Sequence, residues 1–420
     1  MTSTEKKGIF RYENFMLITM FLTFGLIFMD RFGLAMLFPM IAPELKLTGT
    51  QIGMTMSILA LCWGVSSYLF STLSDLFGSK KKILAIAILV FSIATMGTGL
   101  ASSFGMLLLM RAIMGIAEGP AGILCQVSMM AESTPKRRGF NIGFVQSASN
   151  LVGTSLAAVI VIGSAELFGW RGAMNVLAVP GIILGLILLI FMREPVMDPE
   201  SNKRPTRAQY AQIFKSRNVW LCLIMSFGMM AWWLTNITYF SLYLTKVNNF
   251  TPVQLGIFFT VYGILNFVAA ILVPMISDKI GRKPATIVGT FGALLSSIVM
   301  LTVHSFDVLI PVMGIILLFG AGAIPLIMAV IPGESVPKTL IASAMGLIMM
   351  FGELVAGTTV PILAGFFSDK YGISMAMWFA LGGAVIQFIP SFFLKETAPA
   401  KLRQAQQINQ VEANPIVMRD

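Results

Sequence analysis

Asp30 and Arg31 stand in the middle of the first apolar stretch of this 420-residue chain, Arg111 and Glu118 in the fourth, and Glu353 in the eleventh. A charge at the centre of a bilayer costs roughly 2.5–3.5 kcal/mol on insertion scales. Both signs kept at that depth point to work on a solute or a proton. Arg111 and Glu118 are seven residues apart. Two turns of helix return a side chain to nearly the same face, about 10 Å further along, so both can line one cavity. Gly115, Gly119 and Pro120 permit close helix packing and a bend beside the glutamate. Asp30 and Arg31 are adjacent and point about 100° apart, so one can face the cavity while the other reaches a neighbouring helix. Asp30, Arg31, Arg111 and Glu118 are electroneutral together when both acids are ionised. Protonating one acid leaves a positive charge spare, which is what an anionic solute needs. The planar fork of arginine donates two parallel hydrogen bonds to a carboxylate. A carboxyl group in a dehydrated cavity holds its proton more tightly than in water, so proton uptake and carboxylate uptake can be coupled. Glu353 is open to three roles: a second proton site, a polar contact for substrate, or a protonated hydrogen-bond donor.

The elements that position these groups are helices in a membrane. The chain is 56% hydrophobic and 11% charged, with a mean hydropathy of +0.84, whereas soluble domains carry about 25% charged residues. This composition excludes a globular enzyme. A spanning helix needs about 20 apolar residues, and twelve such stretches lie near 15–42, 51–74, 82–103, 105–130, 140–163, 171–192, 219–245, 253–277, 284–303, 308–332, 340–366 and 373–394. Membrane-barrel strands would be shorter and alternate in polarity. The first stretch is too long for a cleavable signal and carries charge in its middle.

The net charge of +10 records topology and not a nucleic-acid partner. With twelve spans, one side of the membrane receives 23 of the 29 Lys and Arg, the other side only Lys46, Arg171, Lys246 and Lys370. That asymmetry places both termini in the cytoplasm. The cysteines, Cys62, Cys125 and Cys222, fall in apolar helices with no metal-site or disulfide spacing, and read as small buried side chains. The single histidine, His304, sits in a short loop and cannot build a metal site. No cofactor is expected.

A polar segment, 193–217, divides the chain into an N-terminal half (1–192) and a C-terminal half (218–397), followed by a polar tail (398–420). The halves repeat. Leu73-x-Asp75-x-x-Gly78-Ser79-Lys80 follows the second span, and Ile276-x-Asp278-x-x-Gly281-Arg282-Lys283 follows the eighth. Glu132-Ser133-Thr134-Pro135-Lys136 follows the fourth, and Glu334-Ser335-Val336-Pro337-Lys338 the tenth. Gly143 and Gly346 continue the register, all at an offset of 202 or 203. Two parallel six-helix halves related by an axis along the membrane normal are an established transporter design.

On these residues the chain resembles the major facilitator superfamily over roughly residues 10–397. The family's loop motif is Gly-x-Leu-x-Asp-x-x-Gly-Arg-Lys. Here Ser71 and Pro274 replace the leading glycine, Ser79 the arginine, and Ile276 the second leucine. The resemblance implies an all-α fold of twelve transmembrane helices in two pseudo-symmetric halves, acting as a monomer. It also implies a cytoplasmic latch made by Asp75, Gly78, Lys80, Asp278, Gly281, Arg282 and Lys283. Asp-Arg in the first helix with Arg-x-x-x-Gly-x-x-Glu-Gly in the fourth is similar to the anion:cation symporter branch, whose members include bacterial sugar-acid and organic-acid importers. The resemblance implies that Arg31 and Arg111 meet the substrate carboxylate while Asp30 and Glu118 carry protons, with Glu353 as a further proton-coupling candidate.

Polar and aromatic candidates for the rest of the cavity are Tyr68, Gln146, Asn150, Trp232, Asn236, Tyr239, Tyr243 and Asn266. The expectation is a proton-coupled importer of a small organic anion in a bacterial inner membrane, with no enzymatic activity. A drug/proton exporter on the same fold is the alternative. Such antiporters carry a Gly-Pro in the fifth helix, but the stretch from Phe140 to Gly163 contains no proline, and paired arginines disfavour a cationic drug.

Overall fold

The computed structural model describes residues 12–77, 79–134, 137–195, 212–320, 322–337, 340–399 and 401–402, apart from the side chains of residues 68, 70–77, 319 and 342. Every regular element among the described residues is helical. Among the described residues, ten helices are long and apolar enough to cross a membrane. One of them, Arg138–Phe191, has 54 residues and would reach about 80 Å if straight, far more than the roughly 30 Å hydrocarbon layer. It is two spans joined at Gly169, whose φ of 69° breaks the helical path. The helix Gly49–Phe77 supplies the twelfth span.

In chain order the spans are α1 (Tyr12–Glu44), α2 (Gly49–Phe77), α3 (Lys80–Gly99), α4 (Phe104–Glu132), α5 (138–168) and α6 (170–191). The second half comprises α7 (Arg217–Lys246), α8 (Pro252–Ile280), α9 (Arg282–Thr302), α10 (Phe306–Glu334), α11 (341–371) and α12 (Ser374–Ser391). These follow the apolar runs of the sequence to within a few residues. Local chemistry fixes several starts. The Ser103 side chain accepts from the Met106 N–H at the head of α4. Thr251 and Gln254 form a reciprocal capping box at the head of α8, with Pro252 opening the helix.

Within each half the helices pack on one another, α2 on α4 and α3 on α6 in the first, α7 on α12 and α9 on α10 in the second. The halves meet through α2 with α11, α5 with α8, and α1 with α7. This is the pairing expected of a duplicated unit. A π-helical turn interrupts α5 at Leu151–Leu156 and α11 at Gly352–Ala356, nearly equivalent places in the repeat. Such turns concentrate at functional sites.

The seam is closed at the end that carries few basic residues. There the Asp369 carboxylate accepts from the N–H groups of Gly49 (2.5 Å) and Thr50 (2.9 Å) and from the Thr50 hydroxyl (2.6 Å). Tyr239 joins the same seam, and the Ser241 hydroxyl donates to the Ala35 carbonyl at 2.5 Å. At the basic end, Gly139 and Gly143 of α5 and Gly346 of α11 face open space. Large apolar side chains left exposed along the helices, among them Ile93, Leu109, Ile190 and Ile315, form the outer surface that lipid would cover.

Candidate substrate site

Glycine contacts bring the charged residues to the centre. A Cβ on Gly25 would lie 2.5 Å from the Val152 Cβ, and one on Gly33 2.8 Å from the Leu177 Cδ2, so α1 seats closely on α5 and α6. On α4, a Cβ on Gly115 would lie 2.6 Å from the Leu59 carbonyl oxygen. The Ser66 hydroxyl donates to the Gly115 carbonyl at 3.0 Å. These contacts seat α4 on α2 and turn Arg111 and Glu118 toward α1.

All four expected charges are buried: Asp30 is 4% exposed, Arg31 2%, and Arg111 and Glu118 0%. Both terminal nitrogens of Arg111 donate to the Asp30 backbone carbonyl at 3.4 Å. The Asp30 carboxyl faces the Thr95 hydroxyl on α3 and the Arg111 guanidinium. Glu118 lies within the field of Asp30, Arg111 and Arg31, yet neither of its carboxyl oxygens has a hydrogen-bond partner among the described residues. The Nε groups of Arg31 and Arg111 are also unpartnered there. The geometry therefore gathers two guanidinium groups with free donors and two carboxyl groups in one dry region.

Glu353 joins this cluster from the opposite half. Its Oε1 accepts a charge-paired hydrogen bond from Nη2 of Arg31. The four-member cluster of the sequence reading is thus a five-member one. Aromatic rings surround the pair. The Arg31 guanidinium lies 5.6 Å from the centre of the Trp63 ring, an attractive cation–π distance. Phe28 is 6.1 Å from Trp63 and 6.4 Å from Trp233, and Phe32 meets Trp233 edge-on at 5.6 Å. Trp63, Trp233 and Thr95 were not among the sequence candidates. Trp63 and Trp233 each stand at mid-span, a signal also given by tryptophans that merely pack.

Other expected contacts lie elsewhere. Tyr239 is at the closed end, its hydroxyl 3.0 Å from the Gly49 carbonyl and 2.8 Å from the Pro361 carbonyl. The Tyr243 hydroxyl donates to the Met300 carbonyl of α9 at 3.0 Å. Both phenols are occupied in satisfying buried backbone, so neither is free for a solute. Gln146 is exposed toward the basic end and bonds to Gln126. Asn266 donates to the Tyr262 carbonyl one turn back on α8. The backbone carbonyl of Asn150 lies at the helix crossing where Gly263 of α8 packs against α5. Asn236 is buried in α7. The side chain of Tyr68 lies outside the described residues.

Of the expected latch, the second copy is assembled. Asp278 pairs with Arg282 at 2.5 Å, and Arg282 reaches Glu334 at 2.9 Å. Gly281 has φ of 111°, the left-handed region that glycine tolerates. Lys283 contributes its backbone N–H, which donates to Glu396, as does that of Arg282. In the first copy the backbone N–H groups of Lys80 and Lys81 donate to Glu194. Gly78 and the side chain of Asp75 lie outside the described residues. Glu194 and Glu396 were missed in the sequence, although their spacing of 202 repeats the offset of the halves.

Twelve spans in two halves around a buried charge cluster define a multi-pass membrane transporter. The chain belongs to the Major Facilitator Superfamily, whose model matches residues 20–359. A probable sulfoacetate transporter of Cupriavidus necator is 25% identical over 402 residues, covering 89% of this chain and 91% of that protein. A hexuronate transporter of Bacillus subtilis is 25% identical over 407 residues, covering 89% and 94%. Among solved structures, a bacterial homologue of the human lysosomal transporter Spinster, inward-facing and unoccupied, superimposes with a TM-score of 0.77 at 18% identity, covering 92% of this chain and 97% of that one.

Proposed function

We propose that the protein is a proton-coupled importer of a small organic anion, a carboxylate such as a sugar acid, that works by alternating access. The observation that carries this reading is the burial of Arg31 and Arg111 beside Asp30 and Glu118, with Arg31 paired across the seam between the halves to Glu353. Sulfoacetate, hexuronate and sialic acid, named for three of its relatives, are organic anions. The excess of Lys and Arg at one end assigns that end to the cytoplasm. The state described here is then sealed toward the outside.

In this mechanism Asp30 and Glu118 each take up a proton while the site faces outward. With Glu353 counted, three acids face two guanidinium groups, so only when both Asp30 and Glu118 are neutral is a guanidinium charge unbalanced, and a carboxylate then restores the balance by binding at Arg31 and Arg111. The neutral, loaded cluster allows the halves to rock about the site, and protons and anion leave on the cytoplasmic side. The chain acts as a monomer in a bacterial inner membrane.

Uptake of labelled glucuronate, sulfoacetate and N-acetylneuraminate into proteoliposomes tests this. At least one acid should accumulate when the outside is acidic, and a protonophore should abolish the accumulation. If none accumulates while an organic cation exchanges for protons, the chain is instead an antiporter of the exporter type.

A further inference from the structure

We propose that Glu353 is an internal stand-in for the substrate's carboxylate, holding Arg31 in the empty carrier and releasing it when an anion arrives. The inference rests on the reading of Arg31 as an anion-binding group and concerns what occupies that group beforehand.

Arg31 is 2% exposed, and a guanidinium so buried needs a negative partner in every long-lived state. The acid next to it in sequence, Asp30, faces Thr95 and Arg111. Glu118 accepts no hydrogen bond among the described residues. The partner comes instead from α11, 322 residues away, as the Glu353 carboxylate. Among the described residues this is the one ion pair that joins the halves, since the others pair Arg137 with Glu13, Arg171 with Glu44, and Arg282 with Asp278 and Glu334.

Glu353 sits where a mobile ligand group would need to sit. The Arg31 fork presents a second donor, Nε, with no partner among the described residues, so the Glu353 contact leaves part of the fork open to a substrate oxygen. Glu353 belongs to the π-helical turn Gly352–Ala356, and its carboxyl carbon is 3.9 Å from the position of a Cβ on Gly357. A π turn is a local irregularity that can relax to α geometry and swing its side chain.

Two consequences follow. A neutral solute cannot displace Glu353, because it offers Arg31 no charge in exchange, so the pair selects for anions. Displacement also frees α11 from α1 at the level of the site, so arrival of an anion removes a tether between the halves.

The competition has a measurable sign. If the internal pair is closed about 90% of the time, the apparent affinity for an external carboxylate is reduced roughly tenfold. Removing Glu353 should therefore tighten binding, whereas loss of a merely structural residue would weaken it.

The test is thermal unfolding of the purified protein titrated with glucuronate, sulfoacetate and N-acetylneuraminate. Glu353→Gln should unfold at a lower temperature when empty, since Arg31 loses its partner. It should bind the acid that stabilises the wild type roughly tenfold more tightly. Arg31→Gln should lose the ligand response altogether. If Glu353→Gln does not fold, Glu353→Asp, a shorter arm with the same charge, should tighten binding in the same direction. Unchanged or weaker binding by the Glu353 variant, with the Arg31 variant unresponsive, overturns the stand-in role alone. An undiminished ligand response in Arg31→Gln overturns the anion-site reading as well, and so does a panel in which no acid stabilises any of the proteins.

Discussion

Glu118 has no exposed surface and no donor to either carboxyl oxygen among the described residues. An ionised group in such a place lacks the hydrogen bonds that compensate its removal from water. Glutamine keeps the shape of glutamate and cannot release a proton. Glu118→Gln should therefore fold normally and still exchange labelled for unlabelled substrate across the membrane, but fail to accumulate it against a gradient. Comparing counterflow with gradient-driven uptake checks this, and full accumulation by the variant would remove Glu118 from the coupling step. Arg111 makes the opposite prediction. Its fork is fully buried and grips the Asp30 carbonyl through both terminal nitrogens. Breaking a buried charged contact costs about 3–5 kcal/mol, so Arg111→Ala should lower uptake by roughly 10²-fold or more. Arg111→Lys should not rescue it, because a point charge cannot reproduce the fork. Normal uptake by both variants would place the anion elsewhere.

At the level of the helices, function depends on how closely α4 sits on α2. A Cβ on Gly119 would fall 2.2 Å from the Ser66 hydroxyl and 2.7 Å from the Trp63 carbonyl. Overpacking of this kind costs about 1–3 kcal/mol, so Gly119→Ala should lower the unfolding temperature by several degrees. A Cβ on Gly143 of α5 meets nothing, and alanine in a helix gains about 0.5–1 kcal/mol over glycine, so Gly143→Ala should not lower it. Melting curves for the two variants decide the point, and equal destabilisation would contradict it. The helices themselves were legible because apolar runs of bilayer length leave few alternatives. The stretch expected near 140–163 is the α5 span 138–168, and Gly169 divides it from α6 as the loop position required. The pairing of Arg31 with Glu353 was not legible, since partners on α1 and α11 share no local period. Tyr239 and Tyr243 misled for a related reason. A mid-membrane phenol looks the same in sequence whether it meets a solute or, as here, a backbone carbonyl.

Across the whole molecule, the duplication is kept at one end of the membrane and broken at the other. At the basic end both halves use the same device. Glu194 caps the head of α3 and Glu396 the head of α9, each from the segment that follows the last helix of its half. At the far end the repeat pairs Glu166 of α5 with Asp369 of α11, at an offset of 203. Asp369 crosses between the halves to cap α2 through Gly49 and Thr50. Its counterpart helix α8 is capped by its own Thr251 and Gln254, and Glu166 is exposed. The far end therefore has a carboxylate cap across the halves on one side only. A carboxylate at a helix N-terminus is worth about 0.3–1 kcal/mol at a surface. Asp369→Asn should then raise the population open at that end by roughly two- to fivefold, and Glu166→Gln should leave it unchanged. The readout is maleimide labelling of a cysteine placed at Ser57, which is buried beneath the seal and bonded to the Gly357 carbonyl, in a background lacking Cys62, Cys125 and Cys222. Faster labelling from outside in the Asp369 variant alone is the expected result, and an equal response from both variants would show that closure does not depend on this single cap.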